Sequence, residues 1–168
     1  ALARERGDDF PIEAWDWRHY AEKVRQLRYE LDETQVKPYF PLQRMVEALF
    51  DCAQRLFGLR FVARPEIRAY HPDVQVYEVR GAGDAVVGVF LHDNFARPSK
   101  RSGAWMSHYR HQTRNTGGGG EAVLLIVVNN NNLARGADGE PTLLSFDDAR
   151  TLFHEFGHAL HCLLTRAN

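Results

Sequence analysis

The sequence has 168 residues, of which 44% are hydrophobic and 26% are charged, and its formal net charge is −1. This length fits about one domain of roughly 100–200 residues, which can bury a sizeable core. The balanced charge argues against a nucleic-acid partner, because such proteins usually carry a basic excess. No membrane partner is expected either, since the apolar runs Ala85–Leu91 and Ala122–Val128 are far shorter than the about 20 residues of a membrane-spanning helix.

Two helices are predicted in the first part of the chain. From Ile12 to Leu31, apolar side chains recur at spacings of three and four residues, which is the period of an amphipathic helix. A second helix is predicted from Leu42 to Phe57, and Gly58 is suited to cap its C-terminus.

The middle of the chain has the pattern of strands. Strands are predicted at Arg60–Arg64, Asp73–Arg80 and Ala85–Leu91, and the last two form a β-hairpin. A short helix is predicted near Ala104–His111, and the glycine tract 117–120 is predicted to be a loop.

The strongest strand signal is Ala122–Val128, a continuous apolar run typical of a strand that is buried on both faces. Loops are predicted at Asn129–Asn132 and Gly136–Pro141. A final helix is predicted from Phe146 to about Arg166, because Ser145 and Asp148 have the spacing of a capping box.

This last helix contains the pattern H-E-x-x-H, formed by His154, Glu155 and His158. Histidines four residues apart lie about 40° apart around a helix, so both can reach one metal ion. Glu155 points to the side, where it can touch a water molecule on the metal without binding the metal itself. The apolar residues of this helix form a stripe that faces away from the histidines, namely Leu152, Phe153, Phe156, Ala159, Leu160, Leu163 and Leu164. The simpler alternative is an ordinary amphipathic helix that binds no metal.

The other candidate side chains carry weaker signals. His161 lies one turn beyond His158 and is predicted to support the site indirectly or to lie on the surface, and Asp147 is predicted to be a helix N-terminal charge. Structural or surface roles are predicted for the histidines without ligand spacing, which are His19, His71, His92, His108 and His111. Cys52 and Cys162 are too few for a disulfide framework and are predicted to be small buried hydrophobes. Few cysteines and balanced charge favour a cytoplasmic location.

The stretch Leu143–His161, with its phrase T-L-F-H-E-F-G-H, resembles the thimet oligopeptidase and peptidyl-dipeptidase family of zinc metallopeptidases. The similarity is strongest to bacterial peptidyl-dipeptidases, which release dipeptides from the C-terminus of oligopeptides. Further segments resemble the family in order and spacing, namely Trp15–Trp17, Lys37–Phe40, Leu56–Gly58, His71–Val74 and Lys100–Trp105.

The resemblance implies that His154 and His158 bind Zn²⁺ and that Glu155 is the general base. Zinc can lower the pKa of a bound water to about 7, which supplies a nucleophile at neutral pH. The resemblance also suggests that Ala122–Val128 is the edge strand that pairs with a peptide substrate. An interior strand would fit the same apolar run.

The family is much larger than 168 residues, and its third zinc ligand is a Glu beyond the second histidine. The expectation is therefore that residues 1–168 are a partial catalytic domain, without the N-terminal helical half and the C-terminal part of the site, and with little activity alone. We expect an α+β fold with N-terminal helices, a small mixed or antiparallel sheet and a C-terminal HExxH helix, as a fragment of a zincin-like, mainly helical catalytic domain.

The function that this interpretation predicts is zinc-dependent hydrolysis of oligopeptides, with release of C-terminal dipeptides. The alternative is a non-catalytic zinc-binding or peptide-binding module that keeps the helix and the strand. The substrate-binding residues stay unassigned from the sequence.

Overall fold

The computed structural model describes residue 7 and residues 11–29, 33–113 and 123–165. These residues form four α-helices and one mixed five-stranded sheet, which confirms the predicted α+β class. No helix in this described part of the chain is both long and apolar enough to cross a membrane. The predicted loop at 117–120 lies outside the described residues.

The helices are α1 (Trp17–Tyr29), α2 (Glu33–Val36), α3 (Leu42–Phe57) and α4 (Phe146–Leu164), and a 3₁₀ turn at Lys37–Tyr39 follows α2. Helix α3 has the predicted bounds. It ends at Gly58, whose φ of 69° is the left-handed conformation that glycine adopts without strain.

Helix α1 is shorter than predicted, and its apolar positions do not form a buried stripe. Among its described residues only Tyr20 is buried, whereas Trp17 and Leu27 are 71% and 67% exposed. Periodicity therefore predicted the helix correctly but not the burial of its apolar face.

The strands are β1 (Arg60–Ala63), β2 (Gln75–Arg80), β3 (Val86–Phe95), β4 (Trp105–Arg110) and β5 (Leu125–Leu133), in the sheet order β1-β2-β3-β5-β4. The predicted hairpin is present as the antiparallel pair β2–β3. Strands β3 and β5 are parallel, and β4 pairs antiparallel with β5 at the edge of the sheet.

The predicted short helix near Ala104–His111 is wrong, because this segment is strand β4. Its residues pair with β5 from Trp105↔Asn130 to Arg110↔Ile126, with an irregularity between His108 and Arg110. Pairing with a neighbouring strand therefore overrides the local helical pattern.

Strand β5 does not end where its apolar run ends. It continues through Asn129–Asn132, so the loop predicted there is wrong. Two of these amides have partners within the fold: Asn131 Nδ2 donates to Asn94 Oδ1 at 2.9 Å, and Asn132 Nδ2 donates to the carbonyl of Gly103 at 2.6 Å.

The position of β5 also corrects the proposed substrate strand. Ala122–Val128 was predicted to supply the edge that pairs with a peptide, but β5 lies between β3 and β4. An interior strand has neighbours on both sides, which explains its continuous apolar run. The edge strand next to β5 is β4.

Helices α3 and α4 cover one face of the sheet through a layer of aromatic rings. The ring of Phe156 on α4 lies 5.6 Å from Phe90 on β3 and 5.3 Å from Phe61 on β1, measured between centroids. Phe50 on α3 stacks on Phe61 at 4.4 Å. Phe90 and Phe156 are buried, so this layer is the centre of the core.

Helix α4 packs against β3 at Gly88 through Leu163. A Cβ atom at this position would lie 2.9 Å from the carbonyl oxygen of Leu125 and 3.0 Å from Leu163 Cδ2. Because one of these neighbours is backbone of the adjacent strand, the structure has no room for a larger residue there.

We expect Gly88→Ala to lower the free energy of unfolding by about 2 kcal/mol, because the added methyl group must displace Leu125 or Leu163. Gly157→Ala is the matched control: no atom lies within 4 Å of its added Cβ, and alanine in an exposed helix should raise stability by about 0.5–1 kcal/mol. Urea unfolding of both variants tests the pair. Equal stability of the two variants would contradict the close approach at Gly88.

Candidate functional site

The helix that carries the H-E-x-x-H residues begins with the predicted capping box. The backbone N–H of Asp148 donates to Ser145 Oγ at 3.0 Å, and the backbone N–H of Ser145 donates to Asp148 Oδ2 at 3.0 Å. Two backbone donors that an open helix end leaves unpaired are thereby satisfied. Asp147 is exposed in the first turn, as predicted, with Arg150 3.7 Å away.

The rotation of α4 is close to the prediction. Its apolar face is buried at Leu152, Phe156, Ala159 and Leu163, while His154 and His158 are exposed. Two members of the predicted stripe lie at its margins and are exposed, Phe153 at 39% and Leu164 at 37%. The helix therefore packs on the sheet and still presents both imidazoles outward.

The two imidazoles lie next to each other on the outer side of α4. The Nε2 atoms of His154 and His158 are 3.1 Å apart, and the rings are nearly perpendicular at 87°. Two Zn–N bonds of about 2.0–2.1 Å at a tetrahedral angle place their nitrogens roughly 3.3 Å apart. The pair therefore fits two positions around one zinc ion. Within the described ranges, no cluster of three or more His, Cys, Asp or Glu side chains suits a metal.

Glu155 lies between the histidines and is largely buried, with 9% of its surface exposed. Among the described residues its carboxylate has no ion-pair partner. A carboxylate held in place by burial and not neutralised by a cation can accept a proton from a neighbouring molecule.

Strand β4 lies beside α4 and runs in the same direction. His108 Nε2 lies 3.1 Å from Cys162 Sγ, and just beyond the ends of both elements Gln112 Nε2 donates to the carbonyl of Thr165 at 2.5 Å. Glu155 precedes Cys162 by seven residues, which is about two helical turns, and so lies on the same side of the helix. Residues two apart in a strand face the same side of the sheet, so Met106 and His108 of β4 both face α4.

The cysteines differ from their prediction in part. Cys52 is exposed on α3, so the prediction that it is a buried hydrophobe is wrong. Cys162 is half-buried against His108. Burial raises the pKa of the Cys162 thiol and lowers the pKa of the His108 imidazole, so the neutral forms are favoured at this contact.

His92 has a buried structural position, in line with its prediction. It is fully buried on β3, and Asn94 Nδ2 lies 3.3 Å from its Nδ1. Burial lowers the pKa of the His92 imidazole to about 4. Its Nε2 and both polar side-chain atoms of Asn129 have no hydrogen-bond partner among the described residues. The structure brings none of the other predicted structural or surface histidines into the pair, namely His19, His71, His111 and His161.

A buried ionic cluster around Asp93 was not predicted. The carboxylate of Asp93 is fully buried and accepts two bonds of 2.6 Å from Arg97, one of 2.8 Å from Tyr70 and one of 3.1 Å from Lys100. Burial opposes ionisation, but these donors together lower the pKa of the Asp93 carboxyl. The sequence signal for this cluster was the segment D-N-F-A-R-P-S-K, in which Arg97 and Lys100 closely follow Asp93. A charged residue in a buried strand needs partners of opposite charge, and these two are near in sequence.

Comparison with known proteins agrees with the resemblance. The family model described as Peptidase family M3 matches residues 1–168. The chain belongs to peptidase family M3. This confirms the resemblance to the oligopeptidase and peptidyl-dipeptidase group.

Relatives within family M3 are much longer than this chain. This chain is 44% identical over 167 residues to a dipeptidyl carboxypeptidase of Escherichia coli. The matched region covers 99% of this chain and 24% of the relative. It is also 44% identical over 155 residues to a dipeptidyl carboxypeptidase of Salmonella typhimurium, with 92% and 22% covered. Oligopeptidase A of Escherichia coli is 37% identical over 155 residues, again with 92% and 22% covered. The chain thus spans about a quarter of the length of these relatives.

The burial of His92 predicts a pH dependence of stability. The imidazole has a pKa near 6.5 when unfolded and about 4 when folded, so between these values the unfolded chain binds more protons. Stability should therefore fall as the pH drops from 6.5 to 4, by up to about 3 kcal/mol from this group. His92→Gln removes this contribution, and urea unfolding at several pH values measures it. Parallel curves for the two proteins would contradict the assignment.

Proposed function

We propose that the full-length protein is a zinc-dependent, zincin-like peptidase that hydrolyses oligopeptides and releases C-terminal dipeptides. The observation that carries this proposal is the pair of imidazole nitrogens 3.1 Å apart on the helix that also holds Glu155. Membership of family M3 supports peptide hydrolysis, and the relatives named dipeptidyl carboxypeptidase favour C-terminal dipeptides as the product.

His154 and His158 would hold the zinc ion through Nε2. A catalytic zinc site usually has three protein ligands, and we propose that the third is a Glu outside the described residues. When bound, zinc acts as a Lewis acid that lowers the pKa of a coordinated water to about 7 and polarises the scissile carbonyl.

The role of Glu155 is proton transfer. Its carboxylate takes a proton from the attacking water molecule and then gives that proton to the amide nitrogen that leaves as an amine. The small exposed surface of Glu155 and the absence of an ion pair to it among the described residues suit this role.

We propose that β4, rather than β5, is the strand that pairs with the substrate. It forms an edge of the sheet within the described residues, and His108 on it contacts Cys162 on the helix that carries Glu155. An edge strand offers unpaired N–H and C=O groups, to which an extended peptide can add as a further strand. Main-chain pairing of this kind binds peptides with little dependence on their side chains.

Glu155→Gln tests the enzyme against the alternative of a zinc-binding or peptide-binding module. In the full-length protein we expect turnover to fall by about 10²–10⁴-fold with unchanged zinc content, because the amide cannot accept the proton. His154→Ala is expected to lose zinc as well. Metal analysis after dialysis and peptide assays measure both properties, and unchanged activity of Glu155→Gln would exclude the proposed mechanism.

Blocking the C-terminus of the substrate tests the dipeptide product. A peptide with a free C-terminal carboxylate should be cleaved to release a dipeptide, and the same peptide with a C-terminal amide should be cleaved at least about tenfold more slowly. Mass spectrometry of the products measures this difference. Equal cleavage at internal bonds of both peptides would identify an endopeptidase instead.

A further inference from the structure

The connection between β3 and β4 is held by one buried lysine. Only 3% of the Lys100 side chain is exposed, and its ammonium donates to the backbone carbonyls of Asp93, at 3.1 Å, and of Phe95, at 2.9 Å. It also donates to the carbonyl of Asn131 on β5. Lys100 therefore ties its own loop to the carboxyl ends of both parallel strands.

The charge of Lys100 is kept because Asp93 lies beside it. Burial lowers the pKa of the ammonium group, and the hydrogen bond from Lys100 to the Asp93 carboxylate, at 3.1 Å, opposes this effect. Arg97, from the same connection, forms two further bonds to this carboxylate. Moving either partner of this buried ion pair away would leave a buried charge unpaired, which is energetically costly. The pair therefore holds the side chains of Asp93 and Lys100 in one arrangement.

A second set of bonds holds the end of the same connection. Asn132 on β5 donates through Nδ2 to the carbonyl of Arg101 at 2.7 Å and to the carbonyl of Gly103 at 2.6 Å. Strand β4 begins two residues after Gly103, at Trp105. The loop is therefore anchored immediately before β4.

We propose that Lys100 is a positioning residue for the peptide-binding edge: by tying the 96–104 connection to β3 and β5, it fixes the register and the position of β4. Among the described residues, β4 pairs with β5 alone, so the position of its other edge depends on the loop that leads into it. This inference rests on the proposed function, because β4 is the strand to which we assign the substrate.

Hydrogen exchange tests the anchor independently of peptide hydrolysis. In Lys100→Met, the amides of Trp105–Arg110 should exchange about tenfold faster, while those of α3 stay unchanged. Arg55→Met is the matched control, because it removes an equal charge from an exposed ion pair with Asp51 on α3. Equal exchange of β4 in the two variants would overturn the proposal.

Kinetics of the full-length protein test the consequence for substrate. Lys100→Met should raise KM for oligopeptides about fivefold, with kcat and zinc content unchanged, because binding along β4 is lost equally in the ground and transition states. Faster exchange of β4 with an unchanged KM would overturn the link between the anchor and the peptide, while Glu155→Gln tests the hydrolysis separately.

Asn132→Ala is made in parallel, because Lys100→Met leaves Asp93 with one cation fewer in the interior. The asparagine change removes only the two bonds to the carbonyls of Arg101 and Gly103 and keeps the ion pairs. It should raise exchange in β4 and the KM in the same direction, by about threefold. No change in either property would contradict anchoring of this loop.

Discussion

The packing of Phe156 against the sheet determines what helix α4 presents to its surroundings. Its ring lies among Phe50, Phe61 and Phe90, and a tightly packed aromatic layer permits little rotation of the helix about its axis. With Phe156 directed inward, His154 and His158 lie on the outer side of the helix, and Glu155 lies at the margin of its buried face. An apolar contact thus sets the orientation of His154, Glu155 and His158.

Different kinds of interaction stabilise the two ends of the sheet. Near Gly88, Leu163 of α4 packs against β3, and this apolar contact depends on the absence of a side chain at position 88. At the carboxyl ends of β3 and β5 the interior is polar, with the Asp93 cluster, the buried asparagines and His92. Polar groups with specific bonds define strand and loop positions there more narrowly than apolar packing does. The candidate site lies on the side of this polar end.

The sequence predicted those parts of the fold that depend on local chemistry. Helix α3 with its Gly58 cap, the β2–β3 hairpin and the capping box at Ser145 follow from spacing and turn residues alone. The adjacent positions of His154 and His158 follow from helical geometry. Each of these features is decided within a few residues of the chain, where periodicity and capping are informative.

The parts that were missed depend on contacts between distant segments. Strand β4 has no strong strand pattern, and its conformation comes from pairing with β5. The asparagines of β5 have the composition of a loop. Their place in a strand is apparent only from tertiary contacts with Asn94, Arg101 and Gly103. The interior position of β5 follows from the order of the strands in the sheet. The proposal of β4 as the substrate strand follows from the same order. Strand order depends on pairing between distant segments, so no local sequence pattern predicts it.

The parallel pairing of β3 with β5 has a consequence for the time course of folding. The hairpin β2–β3 joins neighbours in sequence, whereas Gly88 and Leu125 pair only after the whole connection that includes β4 has closed on itself. Closing a long loop costs chain entropy before any contact compensates for it, so parallel pairs of this kind form slowly. His108 and Cys162 are 54 residues apart in sequence, so we expect β4 and α4 to meet after the hairpin has formed.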